Sequence, residues 1–140
     1  MQPITIEYIA GFVDGEGSFS IHKTGNNQIQ PRFGVYNTNK KVLLLIKEFF
    51  STPLTLSTIK HRNDKWKTLY RLDSHTIDGA TSVARLLEPY LIIKKEHAKL
   101  IMQFKRANPI HTRNGSLTDF STKTWNYKLR NKLLILNKKG

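Results

Sequence analysis

Three features of the sequence predict an α+β fold, ordered α-β-β-α-β-β-α with further helices after it. First, residues 18–37 and 54–73 alternate apolar and polar side chains about central turn residues, the pattern of two β-hairpins. Second, apolar residues recur at helical spacing before, between and after the hairpins. Third, each hairpin is apolar on one face only, so a four-stranded antiparallel sheet must be covered by helices on one side. At 140 residues the chain predicts a single domain, 1–140, with a substantial core.

The first helix is the apolar stretch through Tyr8-Ile9-Ala10-Gly11-Phe12-Val13, ending in Asp14-Gly15-Glu16-Gly17. Ser18 to Thr24 then alternates, with Phe19 and Ile21 on one face and Ser18, Ser20, His22 and Thr24 on the other. Gly25-Asn26-Asn27 signals a turn. On the return, Ile29, Phe33 and Val35 face one way and Gln28, Gln30, Arg32 and Tyr36 the other. Asn37 or Asn39 caps a helix running through Val42, Ile46 and Phe49.

The second hairpin spans about Leu54 to Asp73 and turns near Asn63-Asp64. Its return strand is expected to place Trp66, Tyr70 and Leu72 inward and Lys67 and Arg71 outward. Strict alternation fails between Leu56 and Ile59, which predicts a bulge and leaves the facing of Lys60 and Arg62 open. Ser74 starts a helix carrying Ile77, Ala80, Ala84 and Leu87, ended by Pro89. A further helix from Lys94 to Ala107 buries Ala98, Ile101 and Phe104, and stops before Pro109. A polar loop through Asn114-Gly115 precedes a last amphipathic helix holding Trp125, Leu129 and Leu133.

Charge narrows the function. The formal net charge is +13 and the pI about 10.1. Residues 18–73 hold ten Lys and Arg against three acids, and residues 94–140 hold twelve against two. Basic residues grouped in this way indicate a nucleic-acid surface. The absence of cysteine excludes a disulfide scaffold, a thiolate zinc site and a cysteine nucleophile. The five histidines form no His-Glu-x-x-His motif, and there is no Gly-x-x-x-x-Gly-Lys phosphate loop. With no signal peptide or spanning segment, a soluble intracellular protein is expected, in an organellar matrix or a prokaryotic cytoplasm and not at a membrane.

Against this background the end of the first helix is anomalous. Residues 1–17 carry Glu7, Asp14 and Glu16 and no Lys or Arg. A helix C-terminus bears partial negative charge, which disfavours acids there. A divalent cation would relieve that conflict, and Mg²⁺ is commonly held by one or two carboxylates with water and phosphate oxygens. Gly11 and Gly15, four apart on one face, also allow a second helix to approach closely.

The segment from Ile9 to Gly17 resembles the nine-residue LAGLIDADG motif of the homing endonucleases, and the likeness extends along the chain. The resemblance implies the αββαββα homing-endonuclease fold, with its sheet laid along the DNA major groove. It makes Glu16 the metal-binding catalytic acid, joined by the carbonyl of Gly15, with Mg²⁺ (or Mn²⁺) as cofactor. Asn37, where relatives often carry Gln, Lys41, where relatives carry Arg, and Lys94, after the Pro89-Tyr90-Leu91 turn, would complete the catalytic site. The motif helix would form a homodimer interface through Ile9, Ala10, Gly11, Val13 and Asp14. Since one chain holds one motif, two copies are needed to bring two Glu16 carboxylates together.

The polar sheet face then supplies DNA contacts: Ser20, His22, Thr24, Gln28, Gln30, Arg32, Tyr36, Lys60, Arg62, Lys67 and Arg71. Such side chains match the donors and acceptors of base edges in the major groove, and the faces are nearly free of the Glu that ordinary solvent faces mix with Lys. The expected activity is site-specific cleavage of both strands of a long pseudo-palindromic target, leaving short 3′ overhangs. Two alternatives share the scaffold: a maturase that binds intron RNA, and a DNA-binding protein that does not cleave.

Overall fold

The computed structural model describes residues 3–23, 29–60, 65–74, 76–107 and 120–139. Thr24, Gln28 and Arg62, and the turns expected at 25–27, 63–64 and 114–115, lie outside the described residues. The element order is α1 (Ile6–Glu16), β1 (Gly17–Lys23), β2 (Ile29–Asn37), α2 (Lys40–Phe49), β3 (Thr55–Ile59), β4 (Leu69–Ser74), α3 (Ile77–Leu87), a 3₁₀ turn (Glu88–Tyr90), α4 (Lys95–Ala107) and α5 (Phe120–Lys139). This is the predicted α+β order. No described helix is long and apolar enough to cross a membrane.

The strands form one antiparallel sheet in the order β1-β2-β4-β3. Each hairpin pairs internally, and the two join through β2 and β4, with Val35 opposite Leu72 and Tyr36 opposite Arg71. The inner face carries Phe19, Ile21, Phe33, Val35 and Leu72, all buried. Phe19 and Phe33 are cross-strand partners whose rings lie 5.3 Å apart. Helices α1, α3, α4 and α5 cover this face with Ile9, Ala10, Val13, Val83, Ala84, Ile101, Phe104, Leu129 and Leu133. Truncating one of these phenylalanines to Ala would cost about 3–5 kcal/mol.

Helix starts follow local chemistry. Thr5 caps α1, its hydroxyl accepting from the Tyr8 N–H at 3.2 Å. Of the two candidate caps for α2 it is Asn39 that accepts from the Val42 N–H, at 3.2 Å. Thr76, not Ser74, caps α3, because Ser74 is the last residue of β4.

Several expectations are corrected. The register from Thr55↔Asp73 to Ile59↔Leu69 is unbroken, so β3 has no bulge; Ile59 simply lies on the outer face. Trp66 is 61% exposed, because β4 begins only at Leu69. Phe50 rather than Phe49 enters the core after α2. Trp125 is only partly covered, with the Lys132 ammonium 5.9 Å from its ring centre.

Candidate active site and nucleic-acid interface

Helix α1 runs into β1 without a loop, and Gly17 makes that junction possible. Its N–H donates to the Val13 carbonyl, and a Cβ placed on it would sit 2.8 Å from Val13 Cγ1 and 2.9 Å from Val13 O. Backbone can approach so closely only without a side chain. The two carboxylates ahead of Gly17 have opposite surroundings. Asp14 accepts two backbone N–H bonds, from Ile92 to Oδ2 at 2.8 Å and from Lys94 to Oδ1 at 2.9 Å. The Lys94 ammonium donates in return to the Asp14 carbonyl at 2.9 Å. Glu16 is exposed, and its carboxylate has no hydrogen bond or ion pair among the described residues.

The conflict at the end of α1 is therefore only partly relieved from within. Lys94 puts a full positive charge at the negative end of the helix, the placement the dipole favours. Asp14 is an anchor for residues 92–94. Glu16 follows two residues after the carbonyl that fixes that ammonium.

The outer face of the sheet starts at the same junction. In register across it lie Ser20 opposite Arg32, His22 opposite Gln30, and Tyr36 opposite Arg71, which also faces Ser57. Asp73 is the one acid in the described strands, and it is paired with Arg71 at 3.1 Å. Arg32 Nε and Ser57 Oγ are covered by protein yet have no partner among the described residues. Such a face offers hydrogen-bonding groups to a ligand while repelling little negative charge. Burial, and then the charges of Arg32 and Arg130, hold the His22 pKa below its ordinary value. Lys67 and Lys60 are exposed just before β4 and just after β3.

The expected interface residues require a correction. Ile9, Ala10 and Val13 are fully buried in the chain's own core and present no surface to a second copy. Asp14 is engaged by the 92–94 backbone. The open side of α1 keeps Gly11 from the expected set and adds Tyr8 and Gly15, with half-buried Phe12 stacked on Tyr8 at 6.3 Å. A Cβ on Gly11 or Gly15 would meet nothing within 4 Å. Beside this strip, held there by Asp14, Ile92 and Ile93 are 86% and 61% exposed.

The family model of the LAGLIDADG endonucleases matches residues 9–108, most of the chain. The chain belongs to the LAGLIDADG endonuclease family. Solved structures share its fold. The homing endonuclease I-CvuI in complex with its target and Ca²⁺ superposes with a TM-score of 0.73 at 24% identity, over 94% of this chain and 80% of that one. The archaeal intron-encoded homing endonuclease I-Vdi141I, complexed with DNA, gives 0.74 at 21% identity, over 96% and 85%. The meganuclease I-AabMI, bound to uncleaved DNA, gives 0.74 at 22% identity, but this chain covers only 44% of it. None of the curated proteins is significantly similar in sequence.

Within this LAGLIDADG chain the residues implied by the resemblance lie at one end of the sheet. Gly17 pairs with Val35, so Asn37, two residues further along β2, lies beside the α1–β1 junction. Its Oδ1 accepts from the Asn39 N–H at 2.8 Å, a turn leading into α2, while Lys41 is exposed in the first turn of that helix. Among the described residues no group of three or more His, Asp or Glu could hold a metal. Sequence reasoning missed His97 and Asn137. His97 is buried, and Asn137, which hydrogen-bonds it, donates to the Phe19 carbonyl at 3.2 Å. These contacts span α4, α5 and β1, and no local pattern signals them.

Proposed function

We propose that the protein is a homodimeric, divalent-metal-dependent endonuclease of the homing type, which cuts both strands of a long pseudo-palindromic DNA site and leaves short 3′ overhangs. The observation that carries this reading is the exposed carboxylate of Glu16, unpaired among the described residues, two positions after the Asp14 carbonyl that holds the Lys94 ammonium and at the start of an acid-poor hydrogen-bonding sheet face. The donor set suits Mg²⁺ or Mn²⁺. Glu16 provides a hard oxygen, and Gly15 provides a carbonyl from the last helical turn, where acceptors lack intrahelical donors. A divalent cation there would neutralise developing phosphate charge and acidify water.

The chain's own residues then have separate tasks. The sheet face sets register on the duplex, with Gln30 and Arg71 toward base edges. Lys94, fixed by Asp14, holds positive charge near the scissile phosphate, and Asn37 and Lys41 order the surrounding water. Two-fold packing along Tyr8, Gly11 and Gly15, extended by Ile92 and Ile93, would bring the two Glu16 carboxylates together. The 44% coverage of I-AabMI supports such pairing, since two copies match the length of that one chain.

The test is selection of cleaved sites from a randomised DNA library in Mg²⁺, with Glu16→Gln in parallel. Two-fold-symmetric sites cut only by the unmodified protein are the expected result. Cutting by neither protein, with tight RNA binding, would replace this reading with the maturase.

A further inference from the structure

The polar sheet face does not end at its edge strand. Helix α5 packs along β1 and is anchored there by Asn137, whose amide donates to the Phe19 carbonyl at 3.2 Å. Leu129 and Leu133 fix the rotation of α5 by entering the core. Arg130 lies seven residues before Asn137, two helical turns and therefore on the same side of the helix. Seven residues of helix span about 10.5 Å. Along β1, the three residues from Phe19 to His22 span about 10 Å. Asn137 stands beside Phe19, and the Arg130 charge acts on His22, so α5 runs antiparallel to β1 with Arg130 at the His22 end.

His22 lies diagonally across the hairpin from Arg32, which pairs with Ser20. The two arginines share a feature. Arg130 Nε and Arg32 Nε are each covered by protein and have no hydrogen-bond partner among the described residues. Covered donors on guanidinium groups are costly without an acceptor. Both guanidinium charges act on the one imidazole, so positive charge is concentrated at this point of the sheet edge.

We propose that Arg130, Arg32 and His22 form a clamp for one backbone phosphate of bound duplex DNA, so that α5 is part of the DNA-binding surface and not only a cover for the core. This deepens the nuclease reading and rests on it. The His22 pKa, lowered by burial and then by the Arg32 and Arg130 charges, agrees with that arrangement. A phosphate between the three groups would reverse that effect. The contact is to backbone, so it adds affinity and register without base preference.

The test compares the unmodified protein with Arg130→Gln and Arg130→Lys on a mixed-sequence duplex across a range of salt. Arg130→Gln should weaken binding roughly tenfold, equally for all sequences. It should also reduce the log–log salt slope by about 0.9, and Arg130→Lys should restore the slope. His22 titrated by NMR should show a higher pKa in Arg130→Gln, and a higher one in the unmodified protein once duplex is added. If Arg130→Gln fails to fold, the duplex-induced rise in the unmodified protein carries the test. An unchanged salt slope and an unmoved His22 would overturn the clamp while leaving the nuclease reading intact. The same His22 shift with equimolar inorganic phosphate would assign the pocket to a free anion and overturn the duplex assignment. Failure of the unmodified protein to bind any duplex would overturn both readings.

Discussion

Replacing Asp14 with asparagine separates a structural acid from a catalytic one. Asparagine has the same shape, but only one of its two terminal atoms accepts hydrogen bonds. Of the two N–H donors now bound, from Ile92 and Lys94, one would keep a partner and the other would face an amide N–H. A hydrogen bond to a charged group contributes about 1.5–3 kcal/mol. The bond to Ile92 is solvent-exposed and that to Lys94 part-buried, so a net loss of about 2 kcal/mol is the reasonable figure. For 140 residues the unfolding entropy is about 0.3 kcal/mol/K, which converts the loss to a fall in Tm of about 7 °C. Releasing residues 92–94 should also misplace the Lys94 ammonium, with a roughly 10- to 100-fold loss of cleavage rate. Differential scanning calorimetry and cleavage of a selected site provide the two readouts. A variant that loses cleavage with Tm within about 1 °C of the parent would refute the anchor and put Asp14 at the metal.

Glu16→Gln should behave in the opposite way in calorimetry: cleavage is abolished, and Tm is unchanged or raised, since removing an acid at a helix C-terminus contributes up to about 1 kcal/mol. Gly11→Leu meets open space within the chain, so the subunit should fold as well as before, while light scattering should show the dimer lost; an intact dimer would move the interface away from α1. His97 is held below the ordinary imidazole value of 6.5 by burial first and by the Lys94 charge second. The unfolded chain therefore binds the proton more readily, and stability should fall as pH drops through 6.5, then level off below the folded pKa. His97→Asn should flatten that decline in urea titrations, leaving the part due to His22; an unaltered decline would show that His97 titrates normally.

Hydropathy made the sheet legible where each side chain had one role. Phe19, Ile21, Phe33 and Val35 alternate cleanly, and each is buried. The pattern misleads where an apolar residue has no core position to occupy. Ile59 was expected to need a bulge, yet it lies on the outer face opposite Leu69, and Trp66 lies outside the strand altogether. The motif helix shows the same difficulty in another form. Its apolar residues serve both a core and an exposed strip, and composition alone does not divide Ile9, Ala10 and Val13 from Tyr8 and Phe12. The tie between Asp14 and Lys94 crosses 80 positions, so the anchor was invisible even though both residues were singled out.

The different fates of the two acids follow from helix geometry. Asp14 and Glu16 are two residues apart, which turns them about 200° from one another around α1. Asp14 follows Ala10 by one turn on the core-bordering side, where the 92–94 backbone meets it. Glu16 must then point away from that segment, toward solvent and the start of the sheet face. The same turn leaves Gly11 and Gly15 on an open side between the two. The Lys94 anchor, an open glycine strip that the proposed dimer would use, and an exposed carboxylate thus occupy three sides of one eleven-residue helix. None can be moved by a single residue without exchanging sides with another. A one-residue insertion between Asp14 and Glu16 would rotate Glu16 by about 100° toward the buried side, and so should remove metal-dependent cleavage even with every motif residue type retained.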